Sequence, residues 1–522
     1  MVFFPCDFKY FATLLNKTLA TFTFISLLLI LLGINRGFDF SDEGLYALLA
    51  VPEQQNIAGI FNYDLFFKLF FKLTGLEFGI VGLRLLRLTT YVIAAFSLTV
   101  FWRNFKAAEQ IQLNTYFISF LGLIAGYAFL PQSLSYNSLT VFWASLLIAC
   151  LSFNGKRTIH FLLLAFALAA LFYIKITVCF TLSALSLSYL LIRRELTWKS
   201  FLTLLFPLLF LEFFFYLVLK DCGLLRITGG FAQIQTRGNY EFFDLLKYTA
   251  VGMFWVILVA LPFVVLGFID SGRVNSRRFL IGIGTCVFFA VCYLTSITEE
   301  WNHVVLLSTM VVVVWQAGYL ECKSLSDYQK LWLGILLLLP FLLHFGSNVY
   351  WLRLGIHYWV FWVIVLRFIY SKKPLTKSTY LKPIFGLLVV LLIANGIWIK
   401  PFEQEPLWEA NINWEYKPGK KILLSIKQLK LMEELSAYTQ NKKTILSFYR
   451  IPGLSYLQGK TIVKSPGYWD KKQLEFYFPY GISEDLILYH PYDSLPAGLA
   501  TDYQKKLFTM PNGEELQLLW RE

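Results

Sequence analysis

Charge is scarce in this chain: Lys, Arg, Asp and Glu make up 15% of 522 residues, against 57% hydrophobic. Such a composition cannot cover an ordinary soluble core, which excludes a string of soluble domains. Cysteine is sparse too. The seven cysteines stand singly in apolar runs or short loops, none beyond Cys322, without metal-ligand spacing or a disulfide framework. Internal repeats and low-complexity segments are missing, and no small-residue cleavage pattern follows the first apolar run, Leu19 to Ile34. That run, preceded by Lys9 and Lys17, reads as a retained span and not a removed signal peptide.

What is present is a succession of apolar runs near the length of a bilayer crossing. They predict a mainly α, polytopic transmembrane bundle of about thirteen spans. The expected limits are 18–34, 78–101, 113–131, 134–153, 158–174, 176–192, 200–219, 248–269, 279–297, 303–319, 331–348, 353–370 and 382–399. The stretch 158–192 is too long for one span, and Lys175 marks its outer turn. The formal charge of +13 does not point to nucleic acid, because the tail from residue 401 balances 15 basic residues with 15 acidic ones. The excess lies in the first 400 residues, largely in short loops, which makes it an orientation signal. With the amino terminus inside, the inner loops hold pairs such as Arg103 with Lys106 and Arg193 with Arg194, while outer loops 131–134 and 298–302 hold no Lys or Arg. An odd number of spans then places the tail outside. The expected division is a membrane domain over 1–400, with a first outer loop at 35–77, and a small extracytoplasmic α/β domain over 401–522.

Within that first loop, "IFNYDLFFKLFFKL" is too short to span, and Asp64, Lys68 and Lys72 recur every four positions as one polar stripe. This predicts an interfacial helix lying among lipid headgroups. A second outer segment holds "GGFAQIQTRGNYEFF", Gly229 to Phe243, expected as a plain loop or a flap centred on Arg237. In the tail, "SIKQLKLMEELSAYTQ" has helical periodicity, while "TILSFY", "DLILYH" and "LQLLW" read as short strands.

The stretch "GFDFSDEGLYALLA" places Asp42 and Glu43 directly after the first span. One reading is a simple helix start, with Ser41 as N-cap, the acids in the first turn and Pro52 as terminator. The other is chemistry, since a carboxylate fixed beside the bilayer can take a proton from a bound hydroxyl. The two are compatible.

A retained first span, an outer loop opening on the acidic pair of "SDEGLYA", and an arginine-bearing second span "GIVGLRLLRL" together resemble the GT-C glycosyltransferases. These include the dolichyl-phosphate-mannose protein mannosyltransferases and the bacterial aminoarabinose transferases of lipid A. The "FYIKIT" turn and "NHVVLLSTMVVVVW" are similar to corresponding segments of the bacterial members. The resemblance implies an inverting transfer of a sugar from a polyprenyl-phosphate carrier to an extracytoplasmic acceptor, in a bacterial inner membrane. It implies Asp42 as general base and Glu43 as its alternate. The partners would be the lipid-linked donor, the acceptor and membrane lipids.

A departing lipid phosphate needs cations in a site of low dielectric. Lys175, Arg84, Arg87 and Arg353 are the candidates. Arg84 and Arg87, three apart on one helix, are equally compatible with snorkelling or a structural ion pair. Tyr46, Asp64, Asn137, Glu299, Glu300, Trp301, His303 and His357 are candidates for binding substrate. The chain departs from many relatives in the loop "LPQSLSYNSLT", where Gln132, Tyr136 and Asn137 stand in place of a second acid. A second carboxylate would then be Glu299 or Glu300, or be absent. The sequence points to no particular cofactor. A divalent metal at "TEEWNH" is the lesser alternative, for the cluster has no distinctive ligand spacing. The rival reading is a transporter or flippase of lipid-linked sugars. Such proteins place charge near the midplane on repeated, broken helices, whereas the unusual charges here cluster near one face.

Overall fold

A backbone removed from water must satisfy its own donors and acceptors, so apolar runs become helices. The computed structural model describes residues 8–59, 61–107, 109–153, 158–236, 241–269, 273–296, 300–318, 325–372, 381–496, 499 and 503–521. Every apolar run expected as a span is helical over most of its length. The chain begins with α1 (Phe8–Leu32), the short α2 (Asp42–Leu49) and α3 (Asp64–Thr74), and the long α4 (Ile80–Lys106). There follow α5 (Leu113–Ile124), α6 (Tyr136–Leu151), α7 (Thr158–Ile174), α8 (Ile176–Ile192), α9 (Trp198–Leu219) and α10 (Gly223–Thr236). The bundle continues through α11 (Phe242–Phe268), α12 (Val274–Thr295), α13 (Asn302–Ala317) and α14 (Asp327–His344). It ends with α15 (Trp351–Leu354), α16 (Val360–Ser371) and α17 (Leu381–Ile393), the last extended by a π-helical turn, Ala394–Ile399.

Among the described residues, five helices are long and apolar enough to cross a membrane: α4, α9, α11, α12 and the unit Leu381–Ile399. A sixth results if Trp351–Tyr358 and Val360–Ser371, which meet at 60°, form one bent span. Six further apolar helices run 10–17 residues. The long stretch 158–192 does break at Lys175, whose extended backbone (φ −156°) separates α7 from α8.

The tail opens with an antiparallel hairpin, β1 (Ile412–Lys417) and β2 (Lys420–Leu424), then α18 (Ile426–Thr439). A Ser425–Gln428 capping box starts α18. After it come β3 (Leu446–Phe448), α19 (Pro452–Leu457), α20 (Lys471–Tyr477), β4 (Leu486–Tyr489), β5 (Gln504–Thr509) and β6 (Glu515–Trp520). The four strands form one sheet in the order β3-β4-β6-β5, with only β3 and β4 parallel. The helix and three of these strands lie where the periodicity placed them.

Apolar packing runs across residue 400. One apolar core fills the helical bundle. A second joins Phe38, Tyr46, Leu48 and Leu83 to Leu424, Tyr449, Leu454 and Leu488, so first loop and tail are packed as one unit. Backbone bonds stitch them together: Gly37 N–H donates to Leu423 (2.8 Å), Leu423 N–H to Asn35 (2.9 Å) and Gly453 N–H to Phe40 (2.7 Å). Where α2 crosses α19, a Cβ on Gly44 would lie 2.2 Å from the Gly453 nitrogen. Only glycine allows this backbone-on-backbone contact, and it fixes the start of α2 against the tail.

Two expectations are corrected. The segment from Gly229 is helical as far as Thr236, its α10 packed closely on the first loop: a methyl group at Gly229 would sit 3.0 Å from the Ala58 Cβ. Arg237 lies outside the described residues. The polar stripe of α3 does not simply face headgroups: Asp64 is buried, and it pairs with Lys68 (2.8 Å) and Arg226 of α10 (2.7 Å).

Candidate functional site

The start of α2 is held by Asp39. Its two carboxylate oxygens accept the backbone N–H of Ser41 and of Glu43, both at 2.9 Å. Ser41 occupies the N-cap position without capping. Its hydroxyl donates instead to Glu403, at 2.7 Å. A carboxylate accepting two amides outcompetes a hydroxyl for the cap, which is why the expected Ser41 cap gives way.

The acidic pair then separates. Glu43 is buried, and its carboxylate receives Nε and Nη2 of Arg84 as a two-pronged pair, both at 2.9 Å. The remaining Arg84 donors go to carbonyls of Ile34, Arg36 and Gly37. Arg87 is equally occupied: it donates to the carbonyls of Pro131 and Gly126 and lies 4.0 Å over the Tyr127 ring. These two arginines hold loops together and line neither of the two cavities described below.

Asp42 faces the other way. Its half-buried side chain lines a cavity of about 390 Å³ between the first loop, the bundle and the tail. Among the described residues no hydrogen bond or ion pair engages its carboxylate. Burial, then the neighbouring Glu403, push its pKa up to about 7, against a smaller opposing pull from Arg450. Around the same cavity stand Tyr136, Asn348, Arg353, Glu403, Arg450 and Trp469. Gln233 of α10 also lines it, so the segment suspected as a flap does contribute.

A second cavity of about 290 Å³ adjoins the first and shares Phe129, Leu130, Arg353, Phe402 and Glu403 with it. Glu300, Trp301 and Lys400 also line it. Arg353 thus faces both spaces, paired with Glu300 through Nη2 at 2.6 Å and stacked 5.1 Å from Phe129.

The other candidates are placed as follows. Lys175 is buried behind Tyr136, donating to the carbonyls of Leu343 and His344 at the end of α14, a cation closing a helix C-terminus. Tyr46 is buried edge-on to Tyr136. Asn137 is buried and accepts the Tyr358 hydroxyl at 2.9 Å. His303 is buried at the start of α13, and His357 is buried opposite Gly126. Asp64 belongs to the ion-paired cluster with Lys68 and Arg226. Glu299 lies outside the described residues.

The structure therefore brings together Asp42, Arg353, Glu300 and Trp301 around two adjoining cavities. It keeps Glu43, Arg84, Arg87 and Lys175 in the packing beneath them. Sequence reasoning missed Asp39, Glu403, Arg450 and Trp469. Two of these, Glu403 (φ +50°) and Arg450 (φ +61°), take a left-handed backbone, as does Leu130 (φ +70°) in the same wall. Such residues cost roughly 1–3 kcal/mol each and persist where the surroundings over-determine them, commonly at functional sites. Among the described residues no group of three His, Cys, Asp or Glu is arranged to hold a metal ion.

Chemically, an open carboxylate near neutrality can accept a proton from a hydroxyl. Two guanidiniums in the same cavity can meet an anion. No protein-family profile matches the chain, and no curated protein matches it.

Proposed function

We propose that this chain is a GT-C-type membrane glycosyltransferase, in which Asp42 is the general base for sugar transfer from a polyprenyl phosphate to an extracytoplasmic acceptor. In this reading the thirteen apolar helices are the spans, the tail is extracytoplasmic, and the membrane is a bacterial inner membrane. The observation that carries the proposal is the unpartnered Asp42 carboxylate on a shared cavity, beside Arg353 and Arg450.

The acceptor oxygen attacks the anomeric carbon while its proton passes to Asp42, and the bond from that carbon to the phosphate oxygen breaks with inversion. The electron pair leaves with the lipid phosphate. Arg353 and Arg450 supply the counter-charge, because they line the cavity and part of each guanidinium is left over by Glu300 and Tyr492, whereas Arg84, Arg87 and Lys175 are turned into the packing. Trp301 and Trp469 offer aromatic faces on which a sugar ring packs.

The test is release of free polyprenyl phosphate from a panel of radiolabelled polyprenyl-phosphate hexoses, with envelope extract as acceptor source. Wild-type protein releases it and Asp42→Asn does not. Equal release by both would remove the assignment. Passage of intact lipid-linked sugar across vesicles without cleavage would favour the carrier reading instead.

A further inference from the structure

The first loop supplies one carboxylate to the cavity, and the segment that follows the last bundle helix supplies another. Glu403 stands ten residues beyond α17 and more than 350 positions from Asp42, yet it accepts the hydroxyl of Ser41, the residue immediately before Asp42, at 2.7 Å. It faces both cavities, and Asp42 faces the first. Its left-handed backbone turns the chain there without a glycine.

We propose that Glu403 is the second carboxylate of this site, a positioning residue that grips the segment carrying Asp42 and sets how strongly Asp42 accepts a proton. The proposal deepens the reading of Asp42 as base and rests on it. A like charge nearby disfavours ionisation of a carboxylate. A base is most effective when its own proton affinity matches the working pH. Burial contributes more than Glu403 to the raised proton affinity of Asp42, and Arg450 opposes both. The charged groups around Glu403 are Asp39 beneath Ser41, Asp42, Arg353 and Arg450 in the first cavity, and Glu300, Arg353 and Lys400 in the second. Arg353 is tied to Glu300 and Arg450 is held against Tyr492, 3.6 Å over its ring, so neither forms an ion pair with Glu403. Glu403 thus acts on Asp42 by its charge as well as by its grip on Ser41.

The measurement is pH-dependent labelling of the full-length protein in detergent with dicyclohexylcarbodiimide, which adds to protonated carboxyl groups in apolar surroundings. Peptide mapping by mass spectrometry reads the adduct at Asp42. Wild-type labelling should fall away with a midpoint near pH 7. In Glu403→Gln the midpoint should move toward acid by roughly half to one pH unit, and Glu403→Asp should restore it. The acid limb of lipid-phosphate release should move by the same amount. Ser41→Ala, which removes the grip and keeps the charge, should move the midpoint in the same direction by less. An unmoved midpoint in folded Glu403→Gln overturns the proposal; if that variant does not fold, an unmoved midpoint in Ser41→Ala does so. Turnover that survives in Asp42→Asn, with the labelling shift intact, would defeat only the catalytic reading.

Discussion

Two groups of charge lie side by side in this molecule. The inner group, Glu43 with Arg84, Arg87 with its carbonyls, and Asp64 with Arg226, is buried, and nearly every donor has an acceptor. The cavity group, Asp42, Glu403, Arg353 and Arg450, lies along a space that a ligand can enter. Asp42 and Glu43 are neighbours in the chain and the same kind of acid, yet they fall one into each group. Their difference separates what charge does for the fold from what it does for chemistry. An arginine between helices holds chain segments in place when its fork is filled, and is open to an anion only when part of that fork faces a cavity.

The sharpest way to break this comparison is to remove one charge from each side. Asp42→Asn should lower turnover by about 10²–10⁴-fold while leaving the protein at least as stable as wild type. The sign follows from the direction of the shift. A carboxyl whose folded pKa is raised to about 7 binds its proton more tightly folded than unfolded, so its ionisation weighs against the fold as pH rises toward 7. Asparagine removes that penalty. Glu43→Gln should do the reverse, costing about 3–5 kcal/mol because Arg84 is left buried without its counter-charge. Thermal unfolding in detergent checks both, and a pair of variants with the same stability loss would erase the distinction.

Next in size is Gly44→Ala. The added methyl has no room against the Gly453 backbone, so α2 must tilt away from α19. Overpacking of this kind costs roughly 1–3 kcal/mol. Turnover should fall along with stability, because α2 carries Asp42. Stability lost with turnover intact would mean that the α2–α19 contact does not position the base.

A smaller effect is the pH response itself. Turnover should rise about tenfold per pH unit below neutrality and level off above about 7, where Asp42 is ionised. A profile flat from pH 5 to 8 would place the proton acceptor elsewhere.

The sequence made one half of this picture legible. Apolar runs betray helices whatever their partners, and the tail's helix and strands follow from periods of 3.6 and 2. The acidic pair is visible because it follows the first apolar run directly. Which of the two acids opens onto a cavity was not visible, for that depends on Arg84 reaching back across some forty residues to Glu43. Glu403 and Arg450 carry no local pattern. Each sits in an irregular stretch and enters the cavity through a left-handed backbone turn that no glycine announces. Lys175 stands among the cation candidates in the sequence, and nothing local explains a charge at that turn. Its need is tertiary, the carbonyls at the end of α14.

The smallest expected effect tests whether the inner group is graded by burial. Asp64 has two cationic partners, Arg226, almost wholly enclosed, and Lys68, partly open to its surroundings. Burial alone would raise the Asp64 carboxyl, but Arg226 and then Lys68 outweigh it, and the group is held below the ordinary carboxylate range. An acid depressed in this way stabilises the fold above its unfolded pKa and loses that contribution as pH falls through its folded value. Lys68→Met should therefore cost no more than about 1 kcal/mol at neutral pH, since a partly screened pair contributes little and Arg226 still neutralises Asp64. Arg226→Met removes the enclosed partner, and there the loss should be several times larger and should shrink below about pH 4 as Asp64 takes up a proton. Equal losses from the two variants, measured by thermal unfolding across that pH range, would show that enclosure does not rank these charges.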